Sequence, residues 1–508
     1  MTPESRKESD LDPGQTSGGD MSPEGFRKAG RAVIDHVAAY FEGLGDRPVL
    51  PPTRKGEVLA SLPASAPEDP EPFSRILEDY RTLIEPHLTH WQHPRFHGYF
   101  AITGSGPGIL GDTLAAAANV NAMLWHTSPA ATELEVRVMD WLRQMLGLPA
   151  EFFGHITDTA SISTLLAIAA ARHAIAGLDM RQDGLRRAGK KGWPVLYAST
   201  QTHSSLDKAA ILLGLGQKAV RKIPVDGEFR MRSDALGASI EDDLEGGLTP
   251  FCVVATAGTT STTSIDPLPE IAALCRKHGL WLHVDAAYGG AAALVPELRP
   301  LLAGMEEADS VVMNPHKWLF VPMHLSAFYC RRPRALEEAF SLVPEYLRTP
   351  ETVEGEAPQP DFMNYGIQLG RRFRALKLWI VLRYFGRKGL EERIRTHVRI
   401  AHTFADWVDE CEWMERMAPV PLSVVCFRAR PPGLAPGKET EARLDSLNER
   451  MLDEINRGGE SFLSHTRLEG RFALRFVVSG LRTTTEDVRR TRELLLATAR
   501  KLAREESR

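Results

Sequence analysis

The chain has 508 residues, 43% hydrophobic, 25% charged and 7% aromatic, which predicts a globular protein of two or three structural units. Its net charge of −5 leaves no basic footprint for nucleic acid or an anionic membrane surface. No apolar run approaches the ~20 residues that span a bilayer, and the five cysteines (Cys252, Cys275, Cys330, Cys411 and Cys426) form no CxxC pair, which points to a reducing, cytoplasmic setting without a structural zinc site.

Residues 1–20, "MTPESRKESDLDPGQTSGGD", lack the apolar core of a signal peptide and are expected to be a disordered tail. An amphipathic helix is predicted from Met21. Ser22 is its N-cap, Pro23 suits the first turn, Glu24 adds favourable charge, and Phe26, Ala29, Val33, Val37 and Tyr40 form one stripe. The Pro-rich "LPPTRKGEVLASLPASAPEDPEP" follows, so residues 21–105 are expected to be an N-terminal helical segment suited to packing on a second subunit. Between 106 and 395, buried-strand candidates alternate with helical patterns. The strands are "PVLYAS" (194–199), "FCVVATA" (251–257), "LWLHVDAA" (280–287) and "ADSVVMN" (308–314); the helices include "SSLDKAAILLGL" and "LPEIAALCRKHG". This pattern predicts an α/β domain whose mainly parallel sheet is covered on both faces, with ligands at the carboxyl ends of the strands. From 396 to 508, helices with "LSVVCFRAR" and "FALRFVVSG" predict a smaller α+β domain.

Four segments carry candidate chemistry. Lys317 in "SVVMNPHKWLF" sits in apolar company, which suits either an amine nucleophile of lowered pKa or an exposed lysine covering apolar surface with its stem. Asp285 in "WLHVDAAYGG" ends an apolar strand; it is either a cap for the next helix or an anion that holds a proton on a ring nitrogen, with Ala286 and Ala287 leaving room for a flat ring. Asp285 and Lys317 are about one strand–helix–strand step apart, so both fall on one rim. A lysine opposite such an aspartate is the signature of a pyridoxal phosphate (PLP) site. Asp158, Thr159 and Ser161 precede an Ala/Leu-rich helix; alone they make an N-cap, and with the other two groups they make a phosphate cup. His203 in "STQTHSSLDKAA" is either structural or a ring-stacking residue within reach of a substrate carboxylate.

Together "NPHKW", "HVDAAYGG", "THSS", "TSPAATELEVRVMDWL" and "LGRRFRALKLW" resemble the group II PLP-dependent amino-acid decarboxylases, and among them the aromatic L-amino-acid decarboxylases. The likeness runs from about Met21 to the C-terminus, with the motifs in family order. It implies the PLP-dependent transferase fold type I (aspartate aminotransferase-like). That fold has a seven-stranded, mainly parallel sheet, an N-terminal helical segment that wraps a partner subunit, and a homodimer with its active sites at the subunit interface. The implied cofactor is PLP and no metal. By resemblance Lys317 is the Schiff-base lysine, Asp285 pairs with the pyridine nitrogen, Ala287 lies against the ring and His203 stacks on its other face. Ala160, Ser161, Asn314 and His316 match the phosphate side, Thr260 a threonine beside the cofactor, and Arg475 an arginine near the site. Tyr346, on a long Pro-rich segment, matches the loop tyrosine that protonates the α-carbon.

The resemblance also exposes departures. Asp158 stands where the family commonly has Gly; a carboxylate there would repel a phosphate, so it is expected to turn away as a helix cap. In the substrate pocket, Tyr99 and Phe100 are followed by Ala101 and Ile102. Asn121 and Met123 occupy positions lent across the dimer that are usually apolar and aromatic. Tyr365 and Gly366 replace a common Trp-Gln, Gly370 leaves room for a large ring, and Trp91 is an aromatic wall. The implied reaction is decarboxylation of a tryptophan-, tyrosine- or DOPA-like L-amino acid to its amine and CO2. The alternatives are oxidative decarboxylation–deamination to an aldehyde, action on a non-aromatic or modified amino acid, or a catalytically silent homologue. Tyr346 and His203 together favour the amine.

Overall fold

The structure, a computed structural model, describes residues 11–190, 192–342 and 359–506. Its strands, in chain order, are β1 (Phe96–His97), β2 (Phe153–Thr157), β3 (Pro194–Ser199), β4 (Val220–Ile223), β5 (Thr249–Thr256), β6 (Trp281–Asp285), β7 (Ser310–Met313), β8 (Ser326–Cys330), β9 (Met414–Arg416), β10 (Val424–Ala429), β11 (Phe462–Leu468) and β12 (Arg471–Val477). Contacts group the chain into two units. One holds the residues up to Phe96 with Glu449–Leu463 and those from Arg482 on; the other holds His97–Asn448 with Ser464–Leu481.

In the larger unit a seven-stranded sheet has the order β2-β8-β7-β6-β5-β3-β4. β3, β4, β5, β6 and β7 pair in parallel. β8 lies between β2 and β7 and is antiparallel to both, so β2 runs with the parallel strands. The Cys252–Ala255 run of β5 and the whole of β6 are buried, as parallel strands covered by helices on both faces must be. Alternate side chains divide between two cores. Val195, Tyr197, Val253, Ala255, Leu282 and Val284 face one. Leu196, Ala198, Cys252, Val254 and Trp281 face the other. The shared strand direction places Thr157, Met313, Asp285, Thr256 and Ser199 at the carboxyl ends of their strands, along one rim. At that rim Gly289 lets the turn after β6 lie against β5, because a Cβ there would meet the Ala257 carbonyl oxygen at 2.3 Å.

The strands predicted at 194–199, 251–257, 280–287 and 308–314 are β3, β5, β6 and β7. The helix predicted from Met21 is Pro23–Glu42, with Ser22 accepting from the Gly25 N–H. Two expectations change. The tail of 1–20 carries, from Asp12, a capping box and a short helix Pro13–Ser17, and Gln15 Nε2 donates to the Glu71 carbonyl oxygen. The boundary expected at 395 falls within Ala375–Glu410, whose bend lies earlier, at Gly386 (φ 62°, ψ 168°). The second sheet has the order β1-β11-β12-β10-β9 and is antiparallel where β9, β10, β11 and β12 meet.

Candidate active site

Lys317 leaves the rim on the four-residue helix Pro315–Trp318, directly after β7, with its N–H bonded to the Asn314 carbonyl oxygen at 2.9 Å. Behind it stands a stack of three rings. Trp318 and Tyr288 lie 4.5 Å apart at 7°, and Tyr288 and Phe100 lie 3.9 Å apart at 17°. Trp318 Nε1 donates to His397 Nδ1 at 3.0 Å, and the Tyr288 hydroxyl meets Ser423 Oγ at 2.5 Å, so both polar ends of the stack are satisfied. Lys317 Nζ lies 5.0 Å from the centre of the Phe100 ring. Burial pushes the Lys317 amine below the ordinary lysine range, while Asp285 pulls it the other way.

Asp285 ends β6, beside β7, and accepts the Ala287 N–H at 3.1 Å. His203 lies at the rim between β3 and the helix Ser205–Leu212, with Nδ1 accepting from the Ser205 N–H at 3.2 Å. Desolvation lowers its pKa, Asp285 raises it and Lys317 lowers it, so all three groups share one field. Thr260 is exposed. Its carbonyl oxygen and that of Ser261 accept from the buried Arg475 at 2.6 and 2.9 Å, and Arg475 Nη1 donates to Ser464 Oγ at 2.8 Å. Arg475 therefore braces the loop after β5, and its guanidinium lies 5.6 Å from the Phe100 ring.

At the other end of the rim the helix Ala160–His173 begins after Thr159, which makes no side-chain cap bond. The first N–H groups of a helix have no intrahelical partner, so those of Ala160 and Ser161 open onto the rim. Beneath the turn, Thr157 Oγ1 meets Ser163 Oγ at 2.7 Å and Ser163 Oγ meets Ser326 Oγ at 3.1 Å. Asn314 is buried, and its Oδ1 has no hydrogen-bond partner among the described residues. His316 is buried too; Leu325 N–H donates to its Nδ1 at 3.0 Å, and desolvation drives its pKa down to about 3. The expected Asp158 cap does not form. Asp158 Oδ1 is in an ion pair with Arg374, and Asp158 Oδ2 accepts from Gln368 Nε2 at 2.8 Å, so the carboxylate turns toward these side chains and not toward the helix N–H groups.

These groups answer the parts of PLP one by one. A desolvated amine meets an aldehyde, a buried carboxylate meets a protonated ring nitrogen, and a helix N-terminus beside an unmatched buried amide meets a phosphate. Among the described residues no group of three or more His, Cys, Asp or Glu side chains could hold a metal ion.

The expected substrate positions are more dispersed. Phe100 is buried in the ring stack, while the neighbouring Tyr99 is exposed with φ 52°. Asn121 and Gly370 line a separate open cleft of about 420 Å³, and a Cβ on Gly370 would meet nothing within 4 Å. Asn121 has both ends of its amide engaged within the chain. Its Oδ1 accepts the Arg371 N–H at 2.8 Å and its Nδ2 donates to the Met123 sulfur at 3.2 Å. Met123 packs with Leu124 and Met363. Trp91 belongs to the other unit, where its ring lies 4.6 Å from Phe96. Tyr346 lies outside the described residues.

Sequence reasoning missed Tyr288, the middle ring of the stack, although "AAYGG" puts an aromatic directly after Ala287. It also missed Arg374 and Arg371, whose signal was the arginine cluster in "LGRRFR". Arg371 Nη2 lies 2.6 Å from Glu135 Oε1 and 2.8 Å from the Ile156 carbonyl oxygen, a buried pair that ties this segment to β2.

The Pyridoxal-dependent decarboxylase conserved domain matches residues 56–430. Aromatic-L-amino-acid decarboxylase of Sus scrofa is 40% identical over 92% of this chain and 95% of its own length. Phenylacetaldehyde synthase of a Rosa hybrid cultivar is 40% identical over 92% of each. The solved structure of Oryza sativa TDC with PLP and tryptamine superposes with a TM-score of 0.90 at 34% identity, covering 95% of this chain and 99% of that one. With this likeness along nearly its whole length, and a rim that fits the cofactor, the chain belongs to the family of pyridoxal-dependent decarboxylases and is a PLP-dependent carboxy-lyase.

Proposed function

We propose that the protein decarboxylates an aromatic L-amino acid, tryptophan-, tyrosine- or DOPA-like, to the corresponding amine and CO2, as a cytoplasmic homodimer. One observation carries the reading: Lys317 is desolvated over the Phe100 ring within the field of Asp285. The names of the relatives from pig and rice support the aromatic substrate class. Bound PLP supplies an electron sink for the pair released as CO2 leaves.

The chain's own residues do the rest. Lys317, its amine pushed below the ordinary lysine range by burial, would hold the cofactor at its carbonyl. Asp285 holds a proton on the facing ring nitrogen. Ala287 leaves one ring face clear, and His203 covers the other and reaches the substrate carboxylate. Ala160, Ser161, Asn314 and His316 hold the phosphate, with Thr260 beside the cofactor. Tyr346 delivers the proton to the α-carbon. Tyr99, Phe100, Asn121, Met123 and Gly370 shape the substrate pocket, the Asn121–Met123 segment by supporting the site of the second subunit. Apolar side chains left uncovered support the homodimer: Phe26 and Ile34 on Pro23–Glu42, which buries none of its residues, and Leu110 and Leu114 on Gly106–Ala118.

The test is product analysis with tryptophan, 5-hydroxytryptophan, tyrosine, DOPA, phenylalanine and glutamate, measuring CO2, amine, aldehyde and peroxide. Amine and CO2 in equal amounts from an aromatic substrate are expected. Activity on glutamate alone would overturn the aromatic reading. A second reading, oxidative decarboxylation–deamination, is favoured by the likeness to the rose phenylacetaldehyde synthase; aldehyde with peroxide in place of amine would establish it.

A further inference from the structure

Two cations stand near the start of the helix Ala375–Glu410, one turn apart, and each is answered by an aspartate. Lys377 is 1% exposed and donates to Asp112 Oδ2 at 3.0 Å. Its charge is among those that hold the His316 imidazole neutral. Arg374 forms the ion pair with Asp158, two residues ahead of Ala160, and Gln368 takes the other Asp158 oxygen. The pair stands at the mouth of the turn whose N–H groups open onto the rim. Its side chains are 15% and 28% exposed, where water screens charge only in part. A guanidinium stays charged under all ordinary conditions. A dianion arriving at this turn therefore meets a fixed cation and a fixed carboxylate together, and the carboxylate already occupies the cation.

We propose that Arg374 and Asp158 set how tightly the phosphate end of the cofactor is held, Arg374 supplying the attraction and Asp158 withholding part of it. This rests on Ala160, Ser161, Asn314 and His316 being the phosphate site. Arg374 and Asp158 are positioning residues whose signature is opposite signs: removing the carboxylate frees the cation, and removing the cation bares the carboxylate. If the pair were only a tether fastening the segment around Gln368–Arg374 to the turn, both losses would act in the same direction. They would also act equally on a ligand with no phosphate.

The experiment titrates apo-protein with PLP and with pyridoxal, which lacks the phosphate, following the visible absorbance of the lysine-bound chromophore. Asp158→Asn keeps the side-chain shape and is expected to tighten PLP about tenfold, while Arg374→Met weakens it about tenfold, the scale of one modest charge interaction. Pyridoxal binding is expected to move less than about twofold in either variant, and the PLP shifts shrink with added salt. Arg374→Lys, which keeps the charge, is expected to restore most of the affinity and serves in place of Arg374→Met if that variant does not fold. Weakening of PLP by both Asp158→Asn and Arg374→Met would overturn the proposal, as would equal shifts for pyridoxal. Wild-type protein that binds pyridoxal as tightly as PLP would overturn the phosphate site itself, and the proposal with it; a wild-type preference for PLP with unmoved variants would overturn the proposal alone.

Discussion

At the ring end of the site, Lys317 and Asp285 leave adjacent strands against a three-ring stack whose polar ends are both bonded inside the protein. At the end proposed for the phosphate, a helix begins without a side-chain cap, and the buried Asn314 amide has an oxygen with no partner among the described residues. In the first region the ring stack is closed by packing and by its own hydrogen bonds, although Thr256 Oγ1 and His283 Nε2 have no partner among the described residues. The second leaves helix N–H groups open, as an anion site would. Covalent chemistry demands an amine and a carboxylate fixed in advance, because misplacement by a fraction of an ångström is costly. Anion binding demands donors that have no better partner.

The comparison can be broken most severely at Lys317. Lys317→Ala is expected to abolish turnover and the visible band of the bound cofactor, yet leave the apo-protein at least as stable, since a desolvated amine is removed; a destabilised fold in urea titration would contradict a ring end held by its own packing. Asp285→Asn is expected to keep the visible band and lower kcat roughly 10²- to 10³-fold, the scale of losing one preorganised electrostatic partner. Spectra and steady-state rates check this together.

The next effect is on stability against pH. His283, on β6 at the ring end, and His316, at the phosphate end, are held by burial at pKa values of about 4 and about 3, against an ordinary 6.5. Below pH 6.5 the unfolded chain takes up protons that the native imidazoles refuse. The unfolded state therefore binds more protons, and native stability is lost as pH falls from 6.5 toward those values. Each histidine contributes a slope of roughly 1.4 kcal/mol per pH unit in that window. Urea midpoints of the apo-protein between pH 7 and pH 5 measure the slope, and His283→Asn is expected to flatten it. The smallest effect sharpens the phosphate end: Asn314→Ala is expected to weaken PLP by about 1 kcal/mol, roughly fivefold, while kcat at saturating cofactor stays near wild type.

The ring end is legible in the sequence and the phosphate end only in outline. Buried parallel strands are continuous apolar runs, so β3, β5, β6 and β7 stand out, and with them the positions of Asp285 and Lys317 at strand ends. β2 carries Gly154 and His155 in place of a β-branched run, and β8 is a short "SAFYC", so neither stands out. Without β8, the antiparallel insertion between β2 and β7 has no local signal. The place of Phe100 is hidden for another reason: residues far apart in the chain make the stack, and only tertiary structure brings Tyr288 and Trp318 to it. Asp158 is visible in the sequence as a charge at the phosphate turn. Its partner Arg374 is more than two hundred positions away, beyond the reach of any local rule, so a cap is the only local explanation.

The ring stack has an optical consequence. Trp318 is one of nine tryptophans, but it is fixed in a fully buried ring stack and is the immediate chain neighbour of Lys317. With the cofactor on Lys317, as proposed above, emission from this indole is expected to dim as the chromophore docks and to recover as it departs. Loading and loss can be timed on the unlabelled protein, with no substrate and no turnover.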